Sequence, residues 1–272
     1  MSDKNRKKTL TVISLGAGVQ SSTMAIMAAK GDFPSVDCAI FADTGNEPKM
    51  VYKYLELLKK ILPYPVHIVS KGDIMKDMLN AKDNTNFVVA PYFTQNKITG
   101  KKGMVMRQCT NDYKIQVITQ KVRELLGLKK RERVKKGTKV EMLMGISKDE
   151  VFRMKPNRLP YITNVYPLID LNMRRQNCID WFNKYYEKTP PRSACIYCPY
   201  KGDKEWKHLR ENNPNEWQEV IEFDKKIRNN SRKKEIEVYV HRSCKPIGEI
   251  DLDIEDNQLD LFQSECEGYC GN

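Results

Sequence analysis

Between residues 9 and 31 the chain runs TLTVISLGAGVQSSTMAIMAAKG. A short apolar, β-branched run meets Gly16 and Gly18. Gln20, Ser21, Ser22 and Thr23 then open an Ala/Met-rich stretch whose good helix formers predict a helix over 21–30. A strand that ends in a glycine turn and feeds a helix is an anion site by construction. The first-turn N–H groups have no intrahelical partner, and the helix dipole adds positive potential there. Gly16 and Gly18 let the backbone approach a phosphate, and the hydroxyls of Ser21, Ser22 and Thr23 can donate to its oxygens. Neither G-x-x-x-x-G-K-S/T nor G-x-G-x-x-G is present, since position 21 is Ser. A plain hydroxyl cap on an ordinary α/β turn is the competing reading.

The rest of the chain repeats the strand–helix theme. Segments 10–15, 36–42, 65–70 and 139–146 are short apolar runs of the kind buried on both faces. Helices are expected over 21–30 and 47–62, the second with Pro48 near its first turn. This alternation implies an α/β fold, a Rossmann-like parallel sheet flanked by helices with right-handed crossovers. Residues 81–107 predict a hairpin-bearing insertion with a Lys/Gly-rich tip. A helix over 111–127 follows, with Ile115, Ile118, Val122 and Leu125 on one face, and then the basic linker LKKRERVKKGTK, an exposed patch suited to phosphates. YITNVYPLIDL should be extended and 174–187 helical. Beyond PPRSACIYCPY come helices near 203–211 and 214–229, a strand-like EVYVHR and an acidic tail. A boundary near 188 divides a nucleotide-binding part, 1–188, from a small Cys-containing helical part, 189–272.

The formal charge of +12 in 272 residues points to a polyanionic partner, nucleic acid (DNA or tRNA) being the expected one, or to an anionic substrate. No run approaches the ~18 to 20 apolar residues of a membrane span, and the basic start lacks a small-x-small cleavage site, so a cytoplasmic protein without membrane contact is expected. Eight unevenly spaced cysteines in so long a chain favour metal or redox chemistry over a disulfide scaffold.

SLGAGVQSS resembles the PP-loop, usually S-G-G-x-D-S, of the adenine-nucleotide α-hydrolase superfamily, and in particular the phosphoadenylylsulfate (PAPS) reductase-like family. Ala17 stands in place of one glycine, Val19 where a Lys can occur, and Gln20 where Asp is frequent. FADTGNEP is similar to that family's D-T-G segment, RQCTNDYKIQVI to its cysteine followed by a basic residue and an apolar helix, GISKDEVFR to G-I-x-x-D-E-x-x-R, and VYPLIDL to Y-P-L. The resemblance runs from about residue 9 to 200 and implies a HUP-type sheet and an adenine nucleotide, ATP or PAPS, with Mg2+. Ser14, Gly16, Ala17, Gly18, Gln20, Ser21, Ser22, Asp43, Thr44, Gly145, Asp149 and Arg153 are the implied nucleotide-binding residues. Independently of it, Asp43 and Thr44 at the end of a strand belong at the ligand rim of an open sheet, or else cap the next helix.

Cys195-Ile-Tyr-Cys198 is a C-x-x-C turn able to hold one metal ion or cluster. In the reductase family a Cys-Cys pair and a later C-x-x-C hold a 4Fe–4S cluster. Here the pair is reduced to Cys109-Thr110, and Cys266 or Cys270 would supply the missing ligand. The resemblance thus implies Cys109, Cys195, Cys198 and Cys266 as ligands, or three cysteines and an open iron site. Zinc on Cys195, Cys198, Cys266 and Cys270 is the alternative. The ending SECEGYCGN loosely resembles the family's E-C-G segment, which makes Cys266 and Cys270 candidates for the reactive thiol. Cys38, Cys178 and Cys244 are expected to be packing residues.

Arg107, Lys114, Arg153 and Arg158 flank these motifs and could neutralise charge at an α-phosphorus, with Arg107 and Lys114 the catalytic candidates. Asp149 and Glu150 could orient Arg153 or Mg2+, or pair at the surface. Asp224 falls on an apolar helix face, where a buried pair with Arg or His is expected. Trp206 and Trp217 at helical spacing are core residues before they are base-stacking ones, and none of the three histidines has catalytic company. Two enzymes fit: one that adenylates a nucleic acid or related acceptor and transfers sulfur to it, and a PAPS or adenylylsulfate reductase using a thiol reductant. A non-catalytic nucleotide- or nucleic-acid-binding module with structural zinc is the third reading.

Overall fold

The computed structural model describes residues 9–80, 90–186, 188–231 and 233–253. Its first strand, β1 (Thr9–Leu15), pairs in parallel with β2 (Cys38–Asp43) on one side and with β6 (Lys139–Met144) on the other. β3 (Val66–Ser70) and β7 (Ile162–Val165) form the two edges, giving the order β3-β2-β1-β6-β7. All four pairings are parallel. The expected α/β sheet is therefore present.

Strand alternation explains the two cores on this sheet. Ile13 and Leu15 point to one face, where they meet α1 (Val19–Lys30), α2 (Lys49–Ile61) and α6 (Arg175–Tyr185) through Met24, Leu55 and Phe182. Leu10 and Val12 point to the other, against Ile118 and Val122 of α4 (Gln116–Leu125). Burial of each such aliphatic side chain contributes about 1.5–3 kcal/mol. α1 stops where Gly31 adopts φ +90 and its N–H and that of Asp32 turn back onto the carbonyls of Ala28 and Met27.

The insertion carries the expected hairpin, β4 (Phe93–Asn96) and β5 (Lys102–Met104), with Lys97–Lys101 at its tip. β4 also pairs with β8 (Ile236–Tyr239), which ties the hairpin to the C-terminal part. A third core beneath them joins Ile74, Tyr92 and Tyr113 to Trp206 and Phe223. Trp206 and Phe223 come from α7 (Asp203–Asn212) and α8 (Pro214–Ile227). Trp206 is fully buried, a core residue rather than a stacking platform.

Three local readings needed correction. YITNVYPLIDL is a strand only over 162–165. Pro167 then starts the short helix α5 (Pro167–Asp170), as its fixed φ allows at a first helical position. The helix expected over 111–127 opens as a single π turn over Asn111–Ile115. Helix α3 (Ile74–Leu79), capped by the Asp73 carboxylate on the N–H groups of Met75 and Lys76, escaped notice because it is barely a turn and a half long.

Candidate functional site

In the sheet, β1 and β6 are adjacent although they are far apart in sequence, and the chain leaves them in opposite directions, toward β2 and toward β7. Open α/β sheets bind ligands at the carboxyl ends of two such strands, where their departing loops diverge. Ser14 is in register with Met144, so the turns at 16–18 and 145–150 face each other across that crevice.

The first turn is built by its own backbone. Ala17, not a glycine, takes the left-handed conformation, at φ +59, while Gly18 is extended at φ −90 and caps α1 without a side-chain bond. Ser21 Oγ accepts from the Gly16 N–H at 3.2 Å, which folds the turn over the helix end. Its hydroxyl therefore shapes the loop from inside. Ser14 Oγ, buried beneath the turn, has no hydrogen-bond partner among the described residues; nor has Thr110 Oγ1.

Gln20 joins the two turns. Its Nε2 donates to Glu150 Oε2 at 3.0 Å and to Ser147 Oγ at 3.3 Å, while its Oε1 accepts from Arg175 Nη1 at 2.6 Å. Glu150 in turn holds Arg153. Asp149 accepts from Ser147 Oγ at 2.6 Å and from the Arg175 N–H at 3.1 Å, so it anchors the start of α6 and does not pair with Arg153. Arg175 was not among the expected site residues. It lies outside every motif, and only the packing of α6 on α1 brings it here.

At the end of β2, Asp43 Oδ1 accepts from the Gly45 N–H and from Tyr52 Oη, both at 2.8 Å. Asp43 thus shapes the 43–46 turn and does not cap the following helix. Thr44 Oγ1 lies 3.2 Å from Cys195 Sγ, and the Ile196 N–H donates to the Asn46 carbonyl at 2.8 Å. These two contacts seat the cysteine turn directly on the rim.

Behind them Cys109, Cys195 and Cys198 line one cavity of about 40 Å3, together with Thr44, Arg107, Lys114 and Tyr92. Three of the four expected metal ligands are therefore neighbours. Among the described residues no three Cys, His, Asp or Glu side chains are gathered closely enough to hold a single ion. Cys266 and Cys270 lie outside the described residues. Lys114 Nζ sits 3.8 Å from Glu47 Oε1, and both side chains are buried. Burial pushes the Glu47 carboxyl up, while the ammonium groups of Lys114 and Lys201 pull it back. Burial likewise holds Lys201 below the usual ammonium range, with the Cys198 thiol acting the other way. Glu47 and Lys201 also went unremarked in the sequence, because neither stands in a recognisable pattern.

The remaining candidates behave as packing demands. Cys38, Cys178 and Cys244 are buried, and burial raises the Cys38 thiol to about 11. Asp224 pairs with Arg228 and accepts from the Val240 N–H at 2.9 Å, the expected buried pair. Arg158 is exposed. No helix among the described residues is long and apolar enough to cross a membrane.

No family model matches the chain, and no curated protein matches it. Among solved structures, a phosphoadenylyl-sulfate (PAPS) reductase from Candida auris, in complex with phosphate, is similar. It is 13% identical at a TM-score of 0.40, over 66% of this chain and 73% of that one.

Proposed function

We propose that the chain is a nucleotide-activating enzyme of the PP-loop type, which adenylates a nucleic-acid or related acceptor with ATP and then replaces the adenylate by sulfur. The observation that supports this is the Gln20 bridge. It holds a turn of main-chain amides and a second, carboxylate-bearing turn on either side of the crevice between β1 and β6.

In this reading the amides of residues 17–19 receive the phosphates of MgATP, and Ser14 Oγ gains a partner. Thr44 and Asp43 flank the nucleoside side of the rim. An acceptor oxygen attacks the α-phosphorus, pyrophosphate leaves, and a sulfur nucleophile then displaces AMP. Arg107 and Lys114 lie on the cysteine side of the same rim and offset negative charge as it develops. Arg153, held by Glu150, does so from the β6 side.

Three thiols lining one cavity beside Arg107 and Lys114 are the donor set from which an iron–sulfur cluster would be built. Cys109, Cys195 and Cys198 would hold it, with Cys266 as the fourth ligand. Bound there, such a cluster supplies a site for sulfur or electrons beside the nucleotide. The reactive thiol of the scheme is Cys266 or Cys270.

Titration calorimetry with MgATP and with PAPS tests the reading. Gly18→Val should abolish ATP binding while the melting transition is retained, and Gln20→Ala should weaken it about tenfold or more. Unchanged ATP affinity in both variants would refute the assignment. Binding of PAPS in place of ATP, with sulfite released on adding a thiol reductant, would make the chain a reductase.

A further inference from the structure

A cavity of about 690 Å3 runs along the outer face of α4, beside the edge strand β7, and none of the chemistry above uses it. One wall is the loop that follows α4. Arg123 donates through Nη2 to the carbonyls of Glu132 and Lys129, and the Lys129 N–H donates to Glu132 Oε2 at 2.8 Å. Arg131 is held there at φ +66, a conformation that few side chains adopt. This scaffold leaves Lys129, Lys130 and Arg131 exposed along the rim. The opposite wall is equally fixed. Asn157 Nδ2 donates to Asn164 Oδ1 at 3.0 Å, Asn164 Nδ2 donates to the Lys155 carbonyl at 2.9 Å, and Arg158 projects from between them.

Between the cationic rims lies an apolar floor of Ile115, Leu128 and Leu159, with the Gln120 amide beside it. Among the described residues the one carboxylate lining the cavity, Glu124, is held by Lys121 at 2.8 Å. Lys129, Lys130, Arg131 and Arg158 around apolar side chains in one cavity match a ligand with a charged backbone and flat, apolar-faced units. An acidic protein segment carries its charges on flexible side chains and has no use for such a floor. The cavity also reaches Asn111, two residues along the chain from Cys109, which lines the cysteine cavity.

We propose that this groove binds a single strand of nucleic acid, with phosphates on Lys129, Lys130, Arg131 and Arg158 and bases on the Ile115–Leu128–Leu159 floor. Strand binding stands on the groove alone. The further step, that the bound strand is the acceptor to be modified, rests on the nucleotide-activating reading above.

The test uses the full chain and a fluorescein-labelled single-stranded RNA of mixed sequence, followed by anisotropy across a salt series. Each phosphate contact on a single strand steepens the log–log salt dependence by roughly 0.7. The triple variant Lys129→Ser, Lys130→Ser, Arg158→Ser should therefore bind at least about tenfold more weakly, with a slope shallower by about 2. Lys225→Ser with Lys226→Ser, on exposed positions of α8, should bind as the parent does. The proposal is overturned if the triple variant binds like the parent, if the α8 variant loses as much, or if poly-glutamate competes as well as unlabelled RNA. MgATP affinity separates the two readings. The triple variant should keep it, whereas a chain that binds RNA through the groove but never binds ATP would reject only the nucleotide-activating scheme.

Discussion

Lys114 Nζ stands 3.8 Å from Glu47 Oε1, with the two side chains 4% and 1% exposed. The pair lies beneath the point where the end of β2, the start of α4 and the cysteine turn meet. Lys114→Met would leave a buried carboxylate without its nearest cation, a change that costs about 3–5 kcal/mol. Adding Glu47→Gln should recover part of that loss. Urea unfolding of the parent, the single and the double variant measures both effects. A single variant as stable as the parent would show the pair to be dispensable.

The same pair has a pH signature. Burial raises the folded carboxyl of Glu47 above its ordinary value near 4.5, so the folded state binds the proton more tightly than the unfolded one. That contribution is fully present below 4.5 and fades as pH rises through the folded value. Without the Lys114 cation the rise is larger, so Lys114→Met should gain stability relative to the parent as a solution at neutral pH is acidified. Parallel melts at several pH values would test this; a constant difference between the two proteins is the contrary result.

His241 works in the opposite sense. Its Nε2 lies 2.9 Å from Asp203 Oδ1, yet burial outweighs that carboxylate and keeps the ring below 6.5. The unfolded state then takes up the proton first. The stabilising contribution is complete above 6.5 and is lost as pH falls through the folded value. Replacing His241 by Gln should flatten the decline in melting temperature between neutral and mildly acidic pH.

Gly45 is the glycine whose replacement meets resistance from two sides. Its φ is +75, and an added Cβ would stand 3.1 Å from the Asp73 Cα, a backbone atom. Gly45→Ala should therefore cost about 1–3 kcal/mol. It should also displace the Thr44–Cys195 contact, so thermal stability and any visible chromophore are expected to fall together. A fully stable Gly45→Ala protein would be at odds with the geometry.

The thiols separate by environment. In protein purified without oxygen, iron and acid-labile sulfide are expected, with broad visible absorption that Cys195→Ala removes and Cys38→Ala leaves intact. A colourless protein carrying stoichiometric zinc would reject the cluster.

Much of the scaffold was legible because it depends on local pattern. Apolar runs short enough for strands, spaced by helix-length segments, admit little besides a parallel sheet, and glycines beside hydroxyls marked the turn between β1 and α1. Residues whose role depends on distant packing were not legible. Arg175 reaches Gln20 only because α6 lies on α1, and Glu47 meets Lys114 only because the start of α4 descends on β2. The reassignment of Asp149 from an arginine partner to the anchor of α6 has the same origin.

The sequence by itself determined the order of the main strands and helices, the glycine turn after β1 and the surplus of cations, since each follows from residue type and spacing along a few turns of chain. Tertiary structure decided which strands lie side by side, that Cys109 lines one cavity with Cys195 and Cys198, and that the basic linker and Arg158 line another. Those relations join segments distant in the chain, and only burial of the three cores brings them within contact distance.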